Sequence, residues 1–431
     1  MLHFEAQRAP RDPSRTSRIA YIIEAALEYF VALLIMGAYL ARVTASLGFS
    51  DSLTGVLSSF ASLGCLFQLG SIAVFRKVKR VKRRAISMHL VEQFLLVFVS
   101  LAPVLPLDAG QKTGVFLVCY CASYVICNLV APVKTSWLMS HVPDRVRGSY
   151  TAKKEIVSLL GGMTFTYLMG NAIDTLEAAG QQRTAFIIGA VAIAVLMLLD
   201  AASLLVVREK PAGQEEEGGE ADVRALLQDK QFVRIMFIGV LWYVANYAAT
   251  PFFGSYQIKE LGFSMTFISI ITIVYSLVRV VFSPLLGRYA DKTSFTRMVM
   301  VCFSVAAVSF LVNVFTVPEN GRVVYTIYYC LNAVAMSGIN SSLTNLIYDH
   351  VKGDNRRNAL AISASAYGVC GFLSTCLMSP VVALIQQNGN SLFGVTMYPA
   401  QFVSAVAFLL TGALVAYVRF VVIRHEKRAE A

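Results

Sequence analysis

Twelve apolar runs, each about 20 residues or longer, constrain the fold of this chain more than any other feature. A helix of that length crosses the ~30 Å hydrocarbon layer of a bilayer and satisfies its own backbone polar groups there. Only 15% of the residues are charged, whereas soluble domains carry roughly 25%. We therefore predict an all-α, multi-pass integral membrane protein. Its transmembrane helices are expected near residues 18–44, 53–75, 85–104, 114–139, 155–175, 185–207, 232–257, 264–286, 298–317, 323–348, 359–385 and 399–422.

These helices fall into two sets of six, separated by a polar segment. We expect an N-terminal tail at 1–17, a six-helix bundle at 18–207, a linker at 208–231, a second bundle at 232–422 and a C-terminal tail at 423–431. The linker carries an acidic run, Glu215 to Glu220, and then an amphipathic piece from Val223 to Gln228. The composition indicates a solvated linker that contains a short surface helix.

The two sets of helices repeat short sequences at equivalent positions. Leu47-Gly-Phe-Ser50 opens one apolar run, and Leu261-Gly-Phe-Ser264 opens another. Val142–Arg147 and Val351–Arg356 form a second related pair, each closing one run and opening the next. Weak internal symmetry between two membrane halves is typical of secondary transporters, whose binding site lies between the repeats.

The polar turn between the eighth and ninth apolar runs carries the most specific motif. It reads Pro284-Leu-Leu-Gly-Arg-Tyr-Ala-Asp-Lys-Thr-Ser-Phe-Thr-Arg297. Gly287, Asp291 and Lys292 resemble the loop between the second and third helices of each half in the major facilitator superfamily. The family pattern continues with Gly and further bases, whereas this chain has Ser294 there and its next base at Arg297.

The N-terminal counterpart of this turn, Arg76 to Arg84, keeps the basic character of the motif and lacks the acid. With the repeat and the number of apolar runs, the resemblance extends over nearly the whole chain. It implies two pseudo-symmetric six-helix bundles that rock around a midplane site by alternating access. It also implies that the first, fourth, seventh and tenth helices line the central cavity.

Lysine and arginine residues concentrate in alternate loops. The basic set comprises Arg8, Arg11, Arg15, Arg18, the run 76–84, Arg145, Arg147, Lys153, Lys154, Arg288, Lys292, Arg297, Lys352, Arg356, Arg357, Arg424, Lys427 and Arg428. The opposite loops hold only Lys112, Arg183, Lys259 and Arg322. Bases in short loops favour the cytoplasmic side, so both termini and the linker are expected there, in a plasma (inner) membrane. This placement accounts for the net charge of +11 without nucleic-acid binding.

Catalytic and cofactor signatures are missing from the sequence. It contains no Gly-x-Ser-x-Gly, no His-Glu-x-x-His, no phosphate loop and no paired Cys/His spacing. All eight cysteines lie in apolar runs, where they serve as small packing residues. We therefore expect no enzymatic activity, no cofactor, no bound metal and no ATP-driven step, and a chain that works as a monomer.

Two glutamates in the first apolar run are the candidate proton carriers. Glu24 and Glu28 are one helical turn apart, and at ~1.5 Å rise per residue Glu28 lies ~15 Å from Arg18, near the middle of the membrane. Two carboxylates in a low-dielectric site cannot both ionise at low cost, so one is expected to hold a proton. The alternative places Glu24 at the membrane interface and leaves only Glu28 buried, paired with a base.

Two bases lie inside the apolar runs and are candidates for binding substrate. Lys134, near the end of the fourth run, either pairs with Glu28, binds an anionic group of the substrate or extends to the headgroups. Arg279 lies deeper, about two turns inside the eighth run. A buried guanidinium normally has a carboxylate or another anion as partner, which favours a position in the cavity.

Polar and aromatic residues recur every four positions on the first, fourth, seventh and tenth runs, which places each set on one helix face. This pattern predicts a cavity that stacks against and hydrogen-bonds an organic solute. The candidate substrate-binding residues are Tyr124, Asn128, Trp242, Asn246, Tyr247 and Asn345. The alternative for such stripes is helix packing.

We expect the other charged residues inside the apolar runs to pair with one another and stabilise the fold. His89 and Glu92 share a face of the third run and Asp200 lies in the sixth, helices that are peripheral in the family, so a structural pairing is expected. Arg42 and Asp174, each near an outer end of its run, are candidates for a latch between them.

The motif turn is the candidate cytoplasmic gate. Asp291 is expected to contact a helix N-terminus or the bases Arg356 and Arg357 on the repeat-related loop, since opposite charge and the helix dipole both favour it there. A static loop contact is the alternative. The candidate gating residues are Gly287, Asp291, Lys292, Arg297, Arg147 and Arg356.

These observations predict a secondary active transporter for a small polar organic solute, with H⁺ as the coupling ion and the lipid bilayer as its environment. A multidrug or metabolite efflux antiporter is one alternative. The fifth run, Leu159 to Asn171, lacks the Gly-Pro and Gly-Gly pattern of drug antiporters in the superfamily. A non-transporting membrane sensor or partner subunit is the alternative from another class.

Overall fold

The computed structural model describes residues 14–68, 70–75, 80–143, 147–209, 223–351, 355–392 and 394–424. Within them, nine helices are long and apolar enough to cross a membrane, or ten when the bent pair Arg15–Ile35 and Gly37–Ser46 counts as one passage. The broken run 51–75 and the helix Gly321–His350 complete the twelve passages. The chain is therefore a twelve-helix membrane protein, as the sequence predicts.

The first six passages contain ten helical segments, because the first two passages are interrupted. The segments are α1 Arg15–Ile35, α2 Gly37–Ser46, α3 Asp51–Ser58, α4 Phe60–Leu63, α5 Cys65–Gln68, α6 Gly70–Phe75, α7 Val81–Leu101, α8 Ala109–Met139, α9 Arg147–Ala178 and α10 Gln182–Val206. We call residues 14–209 the N-terminal half.

The remaining passages form the C-terminal half, residues 223–424. Its helices are α11 Val223–Gln228, α12 Lys230–Tyr247, α13 Phe253–Ser255, α14 Met265–Lys292, α15 Phe295–Val314, α16 Gly321–His350, α17 Asn355–Gln387 and α18 Pro399–Tyr417. Two short strands, β1 Ser391–Leu392 and β2 Val395–Thr396, pair antiparallel in the last loop, with Ser391 opposite Thr396. The short helix α11 has the bounds that the amphipathic piece of the linker predicts.

The repeated Leu-Gly-Phe-Ser sequences make the same turn in both halves. Gly48 and Gly262 have φ of +77° and +59°, a left-handed conformation that glycine adopts without strain. Ser50 Oγ then accepts a hydrogen bond from the Leu53 amide at 3.2 Å and caps α3, and Ser264 Oγ caps α14 in the same way. The internal repeat therefore reflects one helix-to-helix turn used twice.

The first and seventh passages are both interrupted part-way along their length. Between α1 and α2, Met36 is extended, Gly37 has φ +56° and the axis bends by 43°. Beyond α12 the chain tightens at Pro251 before α13 begins. The two breaks meet, because a Cβ added at Gly254 would lie 2.6 Å from the backbone oxygen of Gly37. Broken helices at equivalent positions of two repeats mark the binding region of many transporters.

Candidate functional site

A lysine lies between two carboxylates in the N-terminal half. Lys134 Nζ is 2.7 Å from Glu24 Oε1 and 2.9 Å from Glu28 Oε1. Glu24 and Glu28 are one turn apart on α1, so both reach the same point of α8. We call these three residues the Lys134 triad. With both acids ionised, the triad carries one uncompensated negative charge.

The burial of the triad differs from both sequence-based alternatives. The Glu24 side chain is 1% exposed, whereas that of Glu28 is 39% exposed. The alternative that put Glu24 at the interface and buried only Glu28 is thus reversed. Lys134 is 5% exposed and pairs with both acids, so it does not extend to the headgroups. Glu28 is the solvent-accessible member of the triad.

A second polar cluster adjoins the triad. His89 Nδ1 lies 2.8 Å from Glu92 Oε2, and His89 Nε2 lies 2.6 Å from Asp200 Oδ2. Gln93 Nε2 donates to Asp200 Oδ2 at 3.0 Å. We call these four residues the His89 cluster; all four are buried. Ligand atoms of Glu24, His89 and Asp200 lie within 4.8 Å of one another.

The expected structural pairing on the third and sixth passages is present, but the sequence did not indicate that it is continuous with the triad. Residues 89, 92 and 93 share one face of α7, which was visible in the sequence. Asp200 is 111 residues from His89, and periodicity alone does not say which face of α10 meets α7.

A small cavity of about 190 Å³ connects the two groups. Glu28 lines it together with Glu92 and Gln93, and Tyr124 forms part of its wall. Tyr124 is one of the predicted substrate-binding residues. This cavity lies within the N-terminal half, since its lining residues come from the first four passages.

A larger cavity of about 410 Å³ lies between the two halves. Its lining comes from the first, fifth, seventh, eighth and tenth passages. The fourth passage, expected to line the central cavity, is not among the described lining of this one. The polar lining residues include Asn246, Gln257, Ser269, Thr272 and Asn332, and the aromatic ones include Tyr29, Tyr39, Phe165, Tyr275, Tyr325, Tyr328 and Tyr329.

Tyrosine rings form a continuous surface on one side of the larger cavity. Tyr325 and Tyr329 stack with centroids 5.8 Å apart, and Tyr275 packs on Tyr329 at 4.8 Å. Asn332 Oδ1 accepts from the Tyr275 hydroxyl at 3.4 Å. Among the lining residues that the structure describes, there is no lysine, arginine, histidine, aspartate or glutamate. Such a wall suits an uncharged solute with a flat face and hydrogen-bonding groups.

The other predicted substrate-binding residues are more scattered. Asn246 lines the larger cavity, whereas Trp242, four residues earlier, is 2% exposed and packs on Phe303 in the core. Tyr247 stacks on Tyr243, with ring centroids 5.6 Å apart.

Asn128, Asn345 and Arg279 lie outside the described lining of both cavities. The Asn128 amide donates to the Tyr124 carbonyl at 2.9 Å, and Asn345 is half-buried. Arg279 is half-buried 5.9 Å from the ring of Tyr275, and its buried Nε has no hydrogen-bond partner within the described residues. Arg279 thus lies next to the larger cavity, and no acid among the described residues pairs with it.

The halves are joined at the end of the molecule that carries the loop between α2 and α3, which we call the α2–α3 face. Asp174 accepts from the backbone amides of Met265 and Thr266 at 2.9 and 2.7 Å and caps α14 of the other half. Asp51 at the start of α3 binds Lys259 and Gln386. Within the described residues, hydrogen bonds between the halves involve residues 49–62 and 166–174 of the N-terminal half. The larger cavity is therefore closed toward this face.

The predicted latch between Arg42 and Asp174 is not formed. Arg42 pairs with Glu177 of its own half at 2.5 Å and stacks on Phe186, while Asp174 bonds to the backbone of α14. The two residues have opposite charges near the same face, but a helix N-terminus offers the carboxylate two donors at once.

The predicted gate lies at the opposite end. Gly287 and Lys292 belong to the last turns of α14, and Arg297 lies in the first turn of α15, where its amide donates to Ser294 Oγ at 3.2 Å. The side chains of Asp291, Arg147, Arg356 and Arg357 lie outside the described residues. The contact expected of Asp291 thus stays a prediction.

Comparison with known proteins places this architecture in a family. The model of the Major Facilitator Superfamily matches residues 19–375. No curated protein sequence matches the chain. Among solved structures, that of the nucleoside transporter NupG is similar, with a TM-score of 0.68 and 15% identity over 94% of this chain and 99% of that one.

Two further structures of transporters share the fold. A D-xylose-proton symporter has a TM-score of 0.68 and 15% identity over 94% of this chain and 96% of its own. A bacterial metal transporter has a TM-score of 0.62 and 11% identity over 94% and 98%. At these identities the likeness concerns the fold, which has two six-helix halves. With the family match over most of its length, this chain belongs to the major facilitator superfamily.

Proposed function

We propose that this chain is a proton-coupled secondary transporter that moves a small, uncharged, polar organic solute by alternating access. The observation that carries the proposal is the cavity of about 410 Å³ between the halves. Its volume lies in the range of roughly 300–1,000 Å³ typical of small-molecule sites. The nucleoside and xylose transporters of similar fold carry solutes of this kind.

The lining supports the choice of solute class. Amide groups of Asn246, Gln257 and Asn332 provide both donors and acceptors, as hydroxyl groups and ring nitrogens of a solute require. The stacked rings of Tyr325 and Tyr329 provide an apolar face. A charged solute would lose its hydration without gaining a counter-charge from the described lining. Arg279, close to Tyr275, is the one base near enough to hold an acidic substituent among the residues that the structure describes.

The Lys134 triad supports proton coupling. A proton on Glu28 leaves Lys134 paired with buried Glu24, so the triad becomes neutral. Without that proton, the triad carries a negative charge that is tolerable only while Glu28 stays in contact with water. Sealing a net charge in a low-dielectric interior costs several kcal/mol. We infer that the halves rock when Glu28 is protonated, or when substrate binding changes access to it.

The closed α2–α3 face supports one direction of access. If the loops rich in bases are cytoplasmic, this face is extracellular, and the described arrangement is the inward-facing one. The six-helix bundles 18–207 and 232–422 would then move as units about their contact at this face. The motif residues Gly287, Asp291 and Lys292 would close the cytoplasmic face in the alternate state.

Reconstituted vesicles test the proposal. Labelled nucleosides, pentoses, amino acids and a cationic dye are offered with an inward proton gradient, with a sodium gradient and with neither. We expect gradient-driven accumulation of a nucleoside or sugar under the proton gradient. The Glu28→Gln variant should keep exchange of labelled for unlabelled solute and lose accumulation, because its side chain no longer carries a proton.

Glu319→Gln, which changes an acid on a loop of the C-terminal half, is the control and should accumulate solute like wild type. Full accumulation by Glu28→Gln would show that Glu28 is not the carrier. Outward movement of the dye would favour the efflux antiporter instead. Binding without flux for every solute would favour the non-transporting sensor.

A further inference from the structure

The Lys134 triad and the His89 cluster together hold more negative charge than their two bases neutralise. Four carboxylates, those of Glu24, Glu28, Glu92 and Asp200, surround one lysine and one histidine. With all four acids ionised, two negative charges remain in excess even when His89 is an imidazolium, and one remains when Glu28 carries a proton. Three of these four acids are buried, so solvent does little to offset the charge. An additional cation would lower the free energy of this arrangement.

Two acceptor atoms of the cluster are also left without partners. Asp200 Oδ1 and Gln93 Oε1 are buried and make no hydrogen bond to any described residue. Both residues are 1% exposed. A buried acceptor without a donor costs about 1–3 kcal/mol, and more when it is charged. The orphaned oxygens therefore lie in the region that lacks positive charge.

We propose that Glu24, His89 and Asp200 form a binding site for a divalent transition-metal ion within the N-terminal half. Their ligand atoms lie within 4.8 Å of one another, on three different passages. The Gln93 amide nitrogen lies 2.8 Å from His89 Nε2 and 3.0 Å from Asp200 Oδ2, so a half-turn of this amide would present its oxygen to the ion as a fourth ligand.

The surroundings of His89 favour a transition metal over an alkali or alkaline-earth ion. Imidazole nitrogen together with carboxylate suits zinc, iron, cobalt and nickel, whereas magnesium and calcium prefer oxygen ligands alone. In the tautomer that carries its proton on Nδ1, His89 donates to Glu92 Oε2 at 2.8 Å, and its Nε2 lone pair faces Asp200 and the Gln93 amide, where the ion would bind. A carboxylate on the far nitrogen of a ligating histidine is a common supporting arrangement in metal sites.

The ion can reach the site and stay there. Glu92 and Gln93 line the cavity of about 190 Å³ that also contains half-exposed Glu28. Lys134 contacts Glu24 through Oε1, so the ion would bind the other carboxylate oxygen of Glu24 and leave the Lys134 triad intact. Every proposed ligand belongs to the N-terminal half, so rocking of the two halves leaves the site intact. The ion is therefore a resident of this half, and the proposal does not rest on the proposed transport function.

Metal binding to the full-length protein in nanodiscs tests the proposal. After removal of metal with a chelator, Zn²⁺ is titrated by calorimetry and Co²⁺ by visible absorption. We expect one saturable site per chain and the ligand-field bands of four-coordinate Co²⁺. Mg²⁺ and Ca²⁺ should not compete. Asp200→Asn and His89→Asn should abolish the bands, and Glu92→Gln should weaken binding by about 10–100-fold through His89.

Glu177→Gln is the matched control, since Glu177 is an acid of the same half that pairs with Arg42 outside the cluster. It should bind Co²⁺ like wild type. Circular dichroism on each variant separates loss of the site from loss of the fold. If Asp200→Asn and His89→Asn do not fold, the weakened binding expected of Glu92→Gln tests the site instead. No saturable binding to wild type, or unchanged binding to both Glu92→Gln and His89→Asn, would overturn the proposal. In that case His89 is an imidazolium that bridges two acids.

Discussion

Removal of the lysine in the Lys134 triad should destabilise the protein more than removal of the acid it neutralises. In Lys134→Met, the carboxylate of Glu24 is left 1% exposed with no base in contact, so it is either buried with its charge or forced to take a proton. Removing one partner of a buried ion pair costs about 3–5 kcal/mol. Glu28 adds little to this figure, because it is 39% exposed and solvent replaces much of its contact.

The acid and the lysine should not behave independently. In Glu24→Gln, Lys134 keeps Glu28 as its partner, so we expect a cost of about 1–3 kcal/mol. In the double variant Glu24→Gln/Lys134→Met neither member of the buried pair keeps a charge, and neutral replacements of an ion pair are often harmless. The double variant should therefore be more stable than Lys134→Met alone, with a coupling free energy of about 2 kcal/mol or more.

Equilibrium unfolding of the detergent-solubilised protein at neutral pH measures these differences. Lys153→Met, at an exposed position of α9, is the control and should change the free energy of unfolding by at most about 0.5 kcal/mol. A cost below about 1 kcal/mol for Lys134→Met, or single costs that simply add in the double variant, would refute the reasoning that Lys134 neutralises a buried charge.

Two further predictions concern the α2–α3 face. Asp174→Ala removes the cap of α14, worth about 0.5–2 kcal/mol, so spin labels on the ends of α9 and α14 at the α2–α3 face should show a larger separated population. Glu177→Ala should not, because its partner Arg42 is in the same half. Equal label distributions for both variants would contradict the role of the cap. Gly254→Ala places a methyl group 2.6 Å from the Gly37 carbonyl oxygen, and this overpacking should destabilise the closed state of the face by roughly 1–3 kcal/mol. Gly110→Ala, with open space around it, should leave the same label distances unchanged. A face that stays closed in Gly254→Ala would show that the two breaks do not need to touch.

The helices were predictable because their physical signals are local, and the contact between Lys134 and Glu28 was one of three options for that lysine, whereas its contact with Glu24 was not predicted. An apolar run long enough to cross a bilayer has few alternatives to a helix, and charges inside it need partners. The spacing of four places Glu24 and Glu28 on one helix face, but the sequence left open whether Lys134 meets them, the substrate or the headgroups. The repeated turn at Gly48 and Gly262 was readable from sequence.

The features that sequence did not indicate depend on which helix faces meet. Trp242 and Asn246 share one stripe of α12, yet Asn246 borders the cavity and Trp242 packs on Phe303. A spacing of four identifies a face and does not say what that face contacts. The partners of Asp174 were hidden for another reason: they are backbone amides, and a sequence shows no complementary side chain for them.

That choice of partner affects how this protein can change over evolutionary time. Every amino acid except proline supplies an amide hydrogen, so a substitution at 265 or 266 leaves the carboxylate of Asp174 with both of its donors unless it introduces proline. A seal made from two oppositely charged side chains would require paired substitutions instead. Of the side chains at this contact, the two hydrogen bonds require only that of Asp174, while the identity of Met265 is set by the core and the cavity that it borders.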